Sequence, residues 1–518
     1  MAIALLPLFS GCETDVSGSK PYDSFCSGCV SDASIEELRG LVLKVANEHA
    51  ADDVVVSVLA EISSSDELRA ALMEVLVNGE AEDGESTGAS PYIFLAGRIG
   101  AIEFVPVLYD LASGVLQQPH QRGSDAWQQS EIERLLAFES LAELGALEAL
   151  EDLMEVVPTH THTALRLELN RMDSERWPML RLPTAILTDY RADQQYREHY
   201  ENRLAELRSN GIVVPDDELE DEEHDDDDVE ARDESDTPAP VHHISGAEYL
   251  ERSATDPNVQ VTLAEGPIYG CGITSPARAT SNEVFYASTP WCTNAIMAKY
   301  WNGYSFNSSW NSSMGFETPC DLNQPLGRVF NAIHLLHTAS ASPPVSDSDM
   351  GGDILRWGGN YAMREIPSFR ASCATDAIAT TNAAVLKKNR HVTMKRSSFY
   401  SRSTAERAST IIHEARHTER CRHNGNDGSN PCPANSSSCD ESLYDGCRDL
   451  ALAPNGAGAV GFQVSWMQAY LESAPANRIS AYHRTRIKAS VNSYLNTFLD
   501  VEPFFNVNLD GSIFYHAR

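Results

Sequence analysis

The sequence predicts a multidomain protein in which an all-α helical array is followed by an α+β domain. The chain has 518 residues, which is more than a single hydrophobic core commonly serves. A dense acidic run at 216–236 separates two parts of different character. Before the run, Leu and Val recur at helical spacing; after it, the chain is rich in Ser, Asn, Gly and aromatic residues, with short strand-like and longer helical pieces.

The chain opens with a short apolar segment, MAIALLPLFSGC, that ends in small residues before Cys12. This segment resembles a bacterial lipoprotein signal, with FSGC as its lipobox. The resemblance implies that residues 1–12 direct export and that Cys12 carries a lipid, so we expect a protein of the cell envelope, lipid-anchored at the outer membrane or cell surface, or secreted. No run of the sequence approaches the roughly 18 apolar residues of a membrane span, so the lipid is the membrane contact that we expect.

Residues 34–211 predict an α-helical domain. Two stretches are alike, LAGRIGAIEFVPVLYDLAS from Leu95 and LAELGALEALEDLMEVV from Leu141, and each places a small-residue turn between two apolar-periodic segments. Their offset of 46 residues is similar to the period of HEAT-type helical repeats. The resemblance implies a HEAT-like array that contacts a protein partner along a curved surface. An irregular helical bundle with no binding role is the alternative.

Residues 212–244 predict a disordered acidic linker. The run at 216–236 holds 15 acidic side chains and one arginine, and so accounts for −14 of the net charge of −36. Few apolar residues interrupt it, so it cannot form a core. The acidic balance excludes nucleic acid as a partner, because phosphate binding needs basic patches. A calcium-dependent adhesin is a minor alternative, because the run lacks the spaced ligands and the glycine of a calcium loop.

Residues 245–518 predict the α+β domain. Eight of the 11 cysteines follow residue 270 and none lies between 30 and 270, which predicts a disulfide-rich domain in an oxidising compartment, with the connectivity open. Helical patterns occupy GRVFNAIHLLHTA, TAERASTIIHEARHTERC, GFQVSWMQAYLESA and ISAYHRTRIKASVNSYLNTFL, and HVTMK is a predicted strand.

The stretch STIIHEARHTERCRH carries the candidate chemistry. Ser403 and Glu406 form an S-x-x-E capping box, which predicts that a helix begins there. On that helix, His413 and His417 are four residues apart and share a face, so both imidazoles can bind one zinc ion. Glu414 can reach a water on the open position of the metal and take its proton. This is the H-E-x-x-H arrangement of zinc metallopeptidases.

A catalytic zinc needs a third protein ligand, and two candidates remain open. His423 gives H-E-x-x-H-x5-H, which resembles the ligand spacing of the metzincins and requires the chain to turn between Arg420 and His423. The text SSFYSRSTAERASTIIHEARH, with Asp440 and then Tyr444 downstream, resembles the deuterolysin-like aspzincins. That resemblance implies Asp440 as the ligand, Glu414 as the general base and Tyr444 as an oxyanion stabiliser.

The sequence therefore predicts an exported or lipid-anchored zinc-dependent metallopeptidase with a zincin-like C-terminal domain. Zinc is the expected cofactor, and a protein or peptide is the expected substrate. The alternative is a non-catalytic cell-surface binding lipoprotein, in which the HEAT-like array recognises a partner and the metal site is inactive or structural. An open position on the metal would favour the enzyme, and four protein ligands would favour the structural role.

Overall fold

The computed structural model describes residues 30–46, 52–78, 89–116, 125–182, 270–271, 294–340, 353–374, 379–382, 389–400, 402–418, 459–473, 479–498 and 505–515. Within these ranges the protein is mostly helical, with two small three-stranded sheets. The predicted signal segment 1–12, the predicted linker 212–244 and residues 183–211 of the predicted helical domain lie outside the described residues. The domain boundaries therefore remain predictions.

The N-terminal part is built from consecutive helices. They are α1 (Asp32–Ala46), α2 (Asp52–Ser64), α3 (Asp66–Asn78), α4 (Ser90–Ile99), α5 (Val105–Ser113), α6 (Asp125–Glu143), α7 (Leu147–Val156) and α8 (His162–Met172), with short 3-10 turns at Ile102–Phe104 and Thr159–Thr161. Helix α6 contacts α4, α5, α7 and α8, so it lies at the centre of this group.

The two stretches that look alike in sequence are both helix–turn–helix pairs. Gly100 follows α4 with φ +76°, and Gly145 lies between α6 and α7 with φ +73°. Only glycine adopts this left-handed backbone without strain, so each glycine ends one helix and lets the next one fold back. The predicted turns are confirmed at both places, whereas the HEAT-like assignment stays a prediction.

The C-terminal part combines helices with short strands. The helices are α9 (Asn294–Gly303), α10 (Pro325–Thr338), α11 (Ile354–Glu365), α12 (Arg396–Tyr400), α13 (Thr404–Thr418), α14 (Ala459–Ser473) and α15 (Ala481–Phe498), with a 3-10 turn at Ser312–Met314. The strands are β2 (Phe369–Ala371), β3 (Ala379–Asn382), β4 (His391–Met394), β5 (Phe505–Val507) and β6 (Ile513–Tyr515). All four helical patterns named from the sequence are helices, and HVTMK contains β4.

One sheet lies beside the candidate site. Its order is β2–β4–β3, with β2 parallel and β3 antiparallel to the central β4. Val392 of β4 and Phe369 of β2 are fully buried in a large core formed by α9–α15 and the strands. Helix α13 packs against β3 and β4 and against α10, α11 and α14, so it runs through the centre of this core.

The two parts of the chain pack against each other. Strand β1 (Leu180–Leu182), from the N-terminal part, pairs antiparallel with β6, in a sheet of order β1–β6–β5. Helix α15 contributes to both hydrophobic cores: Tyr482 and Ala489 lie in the N-terminal core, and Ile487 and Val491 lie in the C-terminal one. The last helix of the sequence thus joins the helical array to the α+β part.

Buried charges reinforce this junction. The Lys488 ammonium of α15 lies 3.1 Å from Glu139 of α6 and 2.5 Å from Glu168 of α8. Burial would raise the pKa of Glu139, but Lys488 and Arg171 outweigh it and lower that pKa. Burial would lower the pKa of Lys488, and the two carboxylates reverse the effect and raise it. The pair therefore stays ionised inside the protein.

Cys271 and Cys373 form a disulfide across 102 residues of sequence, and Cys320 is also disulfide-bonded. The oxidising compartment stays a prediction. The other cysteines lie outside the described residues. Within the described ranges, no helix has both the length and the apolar character needed to cross a membrane.

Candidate metal centre

Helix α13 begins with the predicted capping box. The Ser403 N–H donates to Glu406 Oε2 over 2.8 Å, and the Glu406 N–H donates to Ser403 Oγ over 3.3 Å. Each side chain thus satisfies a backbone donor that the first helical turn leaves without a partner. The capping box is confirmed, and it fixes where the helix that carries the histidines begins.

Glu406 also binds Arg486 of α15, a contact that the sequence does not predict. It is 1% exposed, and its Oε1 accepts from Arg486 Nε over 3.1 Å and from Ser490 Oγ over 3.2 Å. Burial would raise the pKa of this carboxyl, but the charges of Arg486 and Arg402, with the Ser403 N–H, outweigh it and lower the pKa to about 2. Helix α15 thereby holds the start of α13.

His413 and His417 meet on one face of α13, as the four-residue spacing predicts. Their Nε2 atoms are 3.0 Å apart, and their ring planes are nearly perpendicular, at 83°. His413 is buried at 9% exposure, and His417 is half-buried. The two nitrogens therefore lie close enough together for one metal ion to contact both.

The donor set suits a zinc ion. Zinc binds imidazole nitrogen at about 2.0–2.1 Å, and an ion at that distance from two nitrogens 3.0 Å apart would see them about 94° from each other. This is somewhat tighter than the tetrahedral angle, which needs a nitrogen separation of about 3.4 Å. Small side-chain rotations can increase the separation of the two nitrogens by about 0.4 Å, so the two histidines suit a zinc ion.

Glu414 lies next to His413 and is held by the neighbouring sheet. The hydroxyl of Thr381, on β3, donates to Glu414 Oε2 over 2.6 Å and lies 3.1 Å from the main-chain oxygen of Glu414. Glu414 is buried at 6% exposure. A buried carboxylate that follows a candidate zinc-binding histidine in the sequence is what H-E-x-x-H chemistry needs of a base that acts on a water molecule.

The charged residue inside the motif is accommodated by the packing of α14. Arg416 is buried, and its guanidinium lies 4.8 Å from the centre of the Phe462 ring. A cation over an aromatic face is attracted by the ring quadrupole. Arg416 thus packs against α14, and His413 and His417 keep their shared face on α13.

The two candidates for the third ligand, His423 and Asp440, and the predicted oxyanion residue Tyr444, lie in 419–450, outside the described residues. Helix α13 is described as far as Thr418, whose main-chain oxygen accepts from Arg390. Over the ranges that the structure covers, no group of three or more His, Cys, Asp or Glu side chains suits a metal ion. Both alternatives therefore stay predictions.

The structure adds polar residues that no sequence motif selects. Thr381 precedes Glu414 by 33 residues and lies in a four-residue strand, and Arg486 follows the motif on α15. Two buried tyrosine–histidine contacts also join α9 and the residue that follows it to α10. Tyr300 Oη lies 2.7 Å from His334 Nδ1, and Tyr304 Oη lies 3.1 Å from His337 Nε2. The helical pattern of the sequence predicted α10 but did not indicate these partners.

Comparisons of the chain with protein-family models, with curated proteins and with solved structures gave no match.

Proposed function

We propose that this protein is a zinc-dependent metallopeptidase with its active centre on α13. The observation that carries the proposal is the 3.0 Å approach of His413 Nε2 and His417 Nε2 on one helical face, with the Glu414 carboxylate adjacent in sequence. Two imidazoles and a neighbouring carboxylate are the parts that metal-assisted hydrolysis needs. His423 or Asp440 would complete the ligand set.

Each residue of the proposed centre has a separate chemical role. Zinc, when bound by His413 and His417, supplies a Lewis acid that makes water more acidic and polarises the peptide carbonyl. The Glu414 carboxylate accepts the proton of the attacking water and returns it to the departing amine. The core around α13 fixes the two imidazoles, and Tyr444 is the proposed donor to the oxyanion.

We propose an exported location, with a lipid on Cys12 as the membrane anchor. The Cys271–Cys373 disulfide supports this proposal, because such bonds persist in oxidising compartments. The substrate would be a protein or peptide. The helical array would offer a further protein partner a surface of its own, in line with the repeat pattern of the sequence.

The test uses the full chain, loaded with zinc, and the Glu414→Gln variant. We expect wild type to hold one zinc and to cleave unfolded protein substrates, and Glu414→Gln to keep the metal while its kcat falls by about 10²–10⁴-fold, because the base is lost. Zinc content and cleavage of a labelled casein measure the two effects. A wild type that binds no zinc after reconstitution contradicts the proposal, as does full activity in Glu414→Gln.

The binding-protein alternative gives a different result in the same experiment. There, four protein ligands would close the metal, zinc would stay bound, and neither wild type nor Glu414→Gln would cleave any substrate.

A further inference from the structure

A single hydroxyl bridges two atoms of Glu414. Thr381 Oγ1 lies 2.6 Å from Glu414 Oε2 and 3.1 Å from the main-chain oxygen of the same residue. A hydroxyl has one proton to donate, and the shorter contact, to the charged carboxylate, takes it. This hydrogen bond holds Oε2 of Glu414 against β3 and so selects one side-chain conformation.

The hydroxyl is held by a fixed strand. Thr381 pairs with Val392 in the antiparallel β3–β4 ladder, and Val392 is fully buried in the core. Threonine is β-branched, so its χ1 angle has few choices in a strand. Helix α13 packs directly against β3. The distance from the hydroxyl to Glu414 is therefore set by the sheet and the core.

We propose that Thr381 is the positioning residue of the general base. Its hydroxyl holds Oε2 of Glu414 and so orients the carboxylate that accepts the proton; the inference rests on the proposed peptidase function. Glutamate has three side-chain torsions, and a carboxylate free to rotate spends much of its time turned away from the reacting water. Holding one oxygen removes that freedom before substrate arrives. Thr381 acts through Glu414 and does not touch the substrate.

The positioning role predicts a loss in kcat with little change in KM. A base displaced by about 1 Å from its working place slows the reaction by up to about 10²-fold, whereas substrate binding does not depend on the rotamer of Glu414. We expect Thr381→Val to reduce kcat by about 10–100-fold and to leave KM within about twofold. Valine keeps the β-branched shape and the strand preference of threonine, so the fold is retained.

Two variants separate this role from a general effect on the strand. Thr381→Ser keeps the hydroxyl and is expected to restore kcat to within about threefold of wild type. Thr380→Val is the matched control, because Thr380 is the preceding residue on the same strand, is exposed, and pairs with Thr393 on the other face of the ladder. It is expected to change neither kcat nor KM. All three variants are compared as zinc-loaded full chains.

A crystal structure of zinc-loaded Thr381→Val gives a readout that does not need turnover. The positioning role predicts that the Glu414 carboxylate leaves its wild-type place or occupies several. An unchanged carboxylate overturns the proposal, and so does a kcat of Thr381→Val equal to or above that of wild type, or a Thr381→Ser variant as slow as Thr381→Val. If wild type cleaves nothing while the carboxylate is released in Thr381→Val, the peptidase function fails and the positioning contact stands.

Discussion

Replacing Arg486 with methionine is expected to lower the free energy of unfolding by about 3 kcal/mol. The guanidinium is the nearest cation to Glu406, at 3.1 Å, and with its neighbours it lowers the pKa of that buried carboxyl from 4.5 to about 2. A shift of that size corresponds to about 3 kcal/mol, at 1.36 kcal/mol for each pKa unit. Breaking one side of a buried pair costs about 3–5 kcal/mol in other proteins. Arg402, at 3.7 Å, and the Ser403 N–H remain, which places the expectation at the lower end.

The assay is unfolding in guanidinium chloride at pH 7, followed by tryptophan fluorescence. Arg484→Met on the same helix is the matched control, because Arg484 donates to the main-chain oxygens of Leu471 and Leu509 and is expected to cost about 1 kcal/mol. The double variant Glu406→Gln/Arg486→Met should recover part of the loss, since the buried carboxylate charge is removed together with its guanidinium partner, whereas buried Arg402 keeps its charge. If Arg486→Met is no less stable than Arg484→Met, the buried pair does not hold the start of α13.

Two further perturbations test the junction and the buried histidines. Lys488→Met leaves Glu139 and Glu168 buried without their ammonium partner, so we expect a loss of about 3 kcal/mol in the same assay, and a loss below about 1 kcal/mol would contradict the account. Burial lowers the pKa of His334 to about 4 and that of His337 to about 3. Between pH 6.5 and 5, these two histidines therefore bind protons in the unfolded chain but stay neutral in the folded chain. Stability should fall by about 2 kcal/mol for each histidine over this window, and denaturant midpoints that do not move between the two pH values would refute the prediction.

The sequence predicted those features that depend on neighbouring residues. The capping box of Ser403 and Glu406, the position of α13 and the shared face of His413 and His417 all follow from spacing along a single helix. The turns at Gly100 and Gly145 and the four C-terminal helices follow in the same way, because helical periodicity and helix stop signals are local.

Contacts between distant segments could not be predicted in this way. The hydroxyl that holds Glu414 comes from Thr381, in a strand of four residues whose sequence, ATTN, has no apolar alternation to mark it. The cation that holds Glu406 comes from a helix 80 residues later. Strand β1 pairs with β6 across more than 330 residues, and three-residue strands carry no pattern that selects a partner. Such pairings are decided by the packing of the whole core.

The mixture of domains was also only partly readable from the chain. A shift in composition at the acidic run predicted two separate parts, yet α15 has one face in each core, with Tyr482 on one side and Val491 on the other. A helix that is apolar on two faces reads as a buried helix, and its sequence does not say which two groups of helices it joins.

The zinc K-edge absorption spectrum of the zinc-loaded full chain reports directly on the proposed metal centre. We expect one zinc per chain, with nitrogen and oxygen neighbours at about 2.0–2.1 Å, an imidazole signature, and loss of the ion in His413→Asn but not in His391→Asn, a histidine on β4 outside the H-E-x-x-H motif. Three imidazoles would select His423 and two with a carboxylate would select Asp440. A shell of four sulfur atoms at about 2.3 Å, or a His413→Asn variant that holds zinc as wild type does, would contradict it.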